Sequence, residues 1–84
     1  MELTELVRSY VKTRDDFVAR IAGISGELTS WTQEHMEVPP TLTEIAHFEG
    51  LRAERSRLLA EFTEAEDEFV VQMLRTLSTS PRPQ

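Results

Sequence analysis

Glu44-Ile45-Ala46-His47 sets a carboxylate and an imidazole three residues apart, so that on a helix both project from one side. Carboxylate-bridged di-iron and di-manganese bundles use this spacing to supply a bridging carboxylate and a ring nitrogen. Glu34, His35 and Glu37 lie just before a proline pair, and reversal of the chain there returns them toward the same end; a second copy of the chain doubles the set. The sequence holds only one Glu-x-x-His, however, and Glu44 also stands where a helix needs a cap. A metal-binding bundle built on Glu34, His35, Glu44 and His47 is therefore the alternative reading, and no cofactor is expected.

Arg52, Arg55 and Arg57 form the densest basic group, opposite a stretch of small residues at Gly23, Ser25 and Gly26. Guanidinium groups beside small residues suit a phosphate or a partner's carboxylate. Glu27, Glu54 and Glu61 stand near enough to neutralise them, and Arg55 falls on the apolar seam described below. The carboxylates Asp15, Asp16, Glu64, Glu66, Asp67 and Glu68 read as the solvated face of helices. No hydroxyl sits beside a histidine and an acid in a nucleophile arrangement, so the chain is not expected to be an enzyme.

Thr41-Leu42-Thr43-Glu44-Ile45-Ala46, followed by Gly50-Leu51 and Glu54-Arg55-Ser56-Arg57, resembles the helix-turn-helix of sigma-factor region four over roughly seventeen residues. The resemblance implies a DNA-binding regulator, the third reading. This chain departs from the pattern in having Ser56 where the recognition helix packs an apolar residue inward, and in the placing of Phe48 and Glu49. A net charge of −6 also opposes a phosphate backbone, so nucleic acid is an unlikely partner.

The elements that must position these groups are long helices. Leu3, Val7, Tyr10, Arg14, Phe17, Ile21, Ile24, Leu28, Trp31, His35 and Val38 follow an unbroken 4-3 spacing, and it resumes as Phe48, Leu51, Arg55, Leu58, Phe62, Ala65 and Phe69. Between the two runs, Pro39-Pro40 stops a helix. The pattern predicts an all-α, coiled-coil-like antiparallel hairpin within residues 1–77: helix one about 2–37, a turn at 38–41, and helix two about 42–77 opened by a Thr41/Glu44 capping box. Residues 78–84, without apolar side chains, read as a disordered tail. Gly23 and Gly26 weaken helix one without shifting its register, which suggests a soft or bent helix rather than a break. Folding about the prolines sets Trp31 near Phe48, Leu28 near Leu51, Ile21 near Leu58, Phe17 near Phe62 and Tyr10 near Phe69. The same folding brings Lys12, Arg14 and Arg20 beside Glu61, Glu64, Glu66 and Glu68, and Glu27 beside Arg52 and Arg55.

Eighty-four residues in two helices make one domain with little room for a core, and no cysteine is present to supply a disulfide or a thiolate metal site. Apolar residues exceed the needs of a single seam, notably Leu6, Val11, Val18, Leu59, Val70, Val71, Met73, Leu74 and Leu77. An apolar excess of this kind marks an association surface, and two hairpins packing as a four-helix bundle cover it. Leu6, Val70, Val71, Met73, Leu74 and Leu77 are the interface expected. The acidic opening residues resemble neither a signal peptide nor a membrane span, and the chain is expected in the cytoplasm. The leading functional expectation is a non-enzymatic, self-associating interaction module whose partners are a second copy and another protein, with no membrane.

Overall fold

The computed structural model describes residues 2–79, and these form two helices: α1, Leu3–Glu34, and α2, Leu42–Thr79. The expected pairing of the two is present. Tyr10 stacks on Phe69 with ring centroids 4.2 Å apart, Phe17 on Phe62 at 5.4 Å, and Trp31 meets Phe48 at 4.7 Å. In each of these pairs the residue numbers add to 79, so one antiparallel register holds from end to end. Between the aromatic rungs sits the core of Ile24, Leu28, Leu51 and Leu58, with Phe17, Ile21 and Phe48 packed against it. Leu58, 1% exposed, is its most buried member.

α1 ends three residues before the expected Glu37. His35 leaves the helical region (φ −108°, ψ 15°), and its N–H and that of Met36 turn to the carbonyls of Thr32 and Gln33. The wider turn leaves the helix room to stop before the proline pair forces it to. At the start of α2 the capping box is complete: the Thr41 N–H donates to Glu44 Oε1 at 2.8 Å, and the Glu44 N–H donates to Thr41 Oγ1 at 3.2 Å. α2 then runs unbroken through Gly50, leaving no turn there of the kind a helix-turn-helix requires, and it includes Ser78 and Thr79, the first residues of the expected tail. The rest of that tail, residues 80–84, lies outside the described residues. α1 is likewise continuous through Gly23 and Gly26.

Two expectations about the seam are corrected. At its amino-terminal end the buried residue is Leu6, 5% exposed, and not Val7, 40% exposed. An unsupercoiled helix drifts about 20° per heptad against a strict 3.5-residue repeat. Counted from the core at 3.6 residues per turn, the inward position three turns before Phe17 falls nearer 6 than 7. Leu6 thus belongs to the hairpin's own contact.

The expected charge ladder between the helices is also replaced. Arg14 pairs with its neighbour Asp15, Arg52 with Glu49 and Arg57 with Glu61, all within one helix. Such exposed pairs contribute only tenths of a kcal/mol to about 1 kcal/mol each. The register is therefore held by the aromatic and leucine contacts. No helix among the described residues is long and apolar enough to cross a membrane.

Candidate interaction surface

The four residues read as possible metal ligands separate into two pairs. His35 and Glu44 come together at the turn, with His35 Nε2 3.3 Å from Glu44 Oε2 and His35 Nδ1 3.0 Å from the Val38 carbonyl oxygen. Glu44 is already committed to the cap, and its main-chain carbonyl accepts the Trp31 indole N–H at 3.0 Å. The cap holds the Glu44 carboxyl below its ordinary value. The Thr41 N–H is the largest cause and the Thr41 hydroxyl next, with burial opposing and His35 adding a smaller lowering. Trp31, His35 and Glu44 thus act as a clasp that closes the turn.

Glu34 and His47 instead border a shallow groove of about 540 Å³ with Gly23, Gly26, Glu27, Ser30 and Trp31. Among the described residues no group of three or more histidines and carboxylates is arranged to hold a metal ion.

The arginines do not form a patch. Arg52 and Arg57 are five residues apart, which on an α-helix turns them about 140° from each other. Arg52 is engaged with Glu49 at 3.0 Å, Arg57 with Glu61 at 3.2 Å, and Arg55 lies half-buried between them in the seam. Three arginines close in sequence look like a cluster until the rotation of the helix is counted.

The groove walls fix which flanks of the two helices adjoin. Arg20, Gly23 and Glu27 of α1 line a second groove together with Glu54 of α2, so these flanks share one broad face of the hairpin. A third opening on that face, near the termini, is bordered by Ser9, Thr13, Glu68 and Gln72 beside Tyr10 and Phe69. The flanks lying about 100° from each seam in the other sense must then share the opposite face. α1 contributes Val7, Val11, Val18, Ser25 and Thr29 to it. α2 contributes Ile45, Ser56, Leu59, Thr63, Val70, Leu74 and Leu77.

Apolar side chains on this second face are substantially open to solvent, with Val18 51%, Leu59 47% and Leu74 59% exposed. Its only charges near the centre line are Arg14, Arg52 and Glu66. Glu66 lies beside Tyr10, whose phenol is pushed above its ordinary value, first by burial and then by that carboxylate, with Arg14 opposing.

Of the residues read from the sequence as an interface, Val70, Leu74 and Leu77 lie on this face. Leu6 is inside the hairpin, Met73 turns toward the seam, and Val71 sits on the outer back of α2. The sequence reading assigned Val7 to the seam and passed over Ile45. Both are recovered by following a second 4-3 repeat one flank over from the first. Comparison with protein-family models, with curated proteins and with solved structures finds no match to this chain.

Proposed function

We propose that this protein is a non-enzymatic helical module that works by association, first with a second copy of itself and then, as a bundle, with another protein. The observation that carries this reading is the largely apolar face, with Arg14, Arg52 and Glu66 its central charges, running beside a core of only a few buried residues, Leu6, Ile24, Leu28, Leu51 and Leu58. A hairpin of this kind has a radius of gyration of 19.5 Å, against about 12 Å for a compact domain of the same length. Its shape leaves apolar surface in water that a partner would remove. The non-enzymatic part is supported by the engagement of His35 and Glu44 in the turn and of the arginines in local pairs. The acidic charge and lack of cysteine suit a cytoplasmic setting.

The test is light scattering across micromolar concentrations together with thermal unfolding at each. A dimer or larger species whose midpoint rises with concentration is expected, because folding and association are then one equilibrium. A monomer with a concentration-independent midpoint refutes the reading.

A further inference from the structure

We infer that the second copy docks on the Val18–Leu59–Val70 face with both turns at the same end, forming a closed twofold pair in which Arg14 of each copy meets Glu66 of the other. The inference rests on the self-association just proposed and adds the face and the direction. The occupant is identified by area and charge. The chain exposes 6528 Å², whereas a compact protein of its size exposes about 5,100 Å². The excess, on the order of 1,400 Å², exceeds the roughly 800 Å² per partner of a standard interface and suits a permanent one.

The two broad faces differ in what they could accept from an identical copy. The grooved face carries Glu27, Glu34, Glu54 and Glu61 against Arg20, so acids predominate and a twofold axis there sets mainly acidic surface against mainly acidic surface. On the apolar face the three central charges are of both signs, and Val7, Val18, Leu59 and Val70 lie between them.

Direction follows from the register. A twofold axis parallel to the helices lays α1 of one copy over α2 of the other at equal heights, so the partner numbers again add to about 79. Val18 then falls near Leu59 of the second copy, Val7 near Val70 and Leu74, and Arg14 near Glu66. With the turns at opposite ends and the hairpins fully overlapped, α2 lies on α2. Val70 then covers Arg52, and Arg14 falls on Ala22, so both charges are set against apolar surface without a counterion from the partner.

Because the chain has no cysteine, a single Glu37→Cys substitution in the exposed turn gives one spin label per copy. Pulsed dipolar spectroscopy of the labelled dimer is expected to give about 15–30 Å, since neighbouring helices in a bundle are 8–10 Å apart. Opposed turns place the labels about 50 Å apart, the length of a helix of this size. Such a long distance overturns the direction while leaving self-association standing.

A monomeric wild type at 100 µM overturns both. Leu59→Glu, at a position the hairpin leaves exposed, is expected to raise the dimer dissociation constant at least ~100-fold with helix content retained. The same change at Ser30, on the grooved face, is expected to leave it within about threefold. If Leu59→Glu dimerises like wild type, or Ser30→Glu alone abolishes dimerisation, the assigned face is wrong.

Discussion

Replacing Gly23, Gly26 and Gly50 by alanine should stabilise this protein. All three lie within helices, none has a positive φ, and a Cβ built at any of them meets no other heavy atom within 4 Å. A glycine with those properties provides no turn and no close approach, and its conformational freedom in the unfolded chain is lost on folding without compensation. The gain per site is about 0.5–1 kcal/mol. The triple variant should therefore gain about 1.5–3 kcal/mol, which in a chain of this size raises the melting temperature by roughly 6–24 °C.

Circular dichroism melts of the three single variants and the triple, at one protein concentration and with urea unfolding beside them, measure it. Gly23 and Gly26 are close enough to couple, so the singles decide the matter. All three glycines fall on the grooved face, away from the surface assigned to the second copy. A loss of stability in any single variant, or dissociation of the triple variant at unchanged helix content, would refute the reasoning by showing that something approaches that face closely enough to need the missing Cβ.

The core and the cap give further expectations. Leu58→Ala should cost about 3–4 kcal/mol in urea unfolding, more than Phe17→Ala, because Leu58 is fully enclosed while Phe17 is half-buried against Phe62. Thr41→Ala, which leaves the Glu44 N–H uncapped, should cost about 1 kcal/mol. The Glu44 carboxyl is lowered in the folded chain, so its contribution is complete above its ordinary value near 4.5 and is lost as pH falls through the lower folded value. The stability difference between wild type and Glu44→Ala should thus be largest near neutral pH and shrink as the pH falls below the ordinary value of 4.5; a difference that grows on acidification contradicts the assignment.

The hairpin's pairing was legible because large aromatic residues recur at heptad spacing on both sides of a proline pair, and only one folding of the chain sets them opposite one another. The capping box was legible for the same local reason: Thr41 and Glu44 satisfy each other's backbone within one turn. Other features depend on quantities a repeat does not carry. Leu6 displaced Val7 through accumulated drift over several turns. Arg52, Arg55 and Arg57 dispersed because residues close in sequence are not close in angle. Arg14, expected beside Glu61–Glu68, pairs instead with Asp15 of its own helix, which a flexible side chain reaches with less ordering. His35 was read as a possible ligand, whereas the early end of α1 leaves it to bridge the turn.

The clasp at the turn also sets the order in which the hairpin can assemble. Trp31 and Glu44 are 13 residues apart, while Tyr10 and Phe69 are 59 apart. Closing the longer loop first costs roughly 1.3 kcal/mol more in chain entropy. Folding is therefore expected to begin at Trp31, His35 and Glu44 and to zip toward the termini, each aromatic rung shortening the loop left for the next. In stopped-flow experiments Trp31→Phe should chiefly slow folding, whereas Phe69→Leu should chiefly speed unfolding. The end of the rod that closes last is also the end where the apolar face is richest, at Val7, Val70, Leu74 and Leu77. A second copy arriving during assembly therefore meets an open pair of helix ends, and association at that stage can exchange α2 between chains as readily as it docks two finished hairpins.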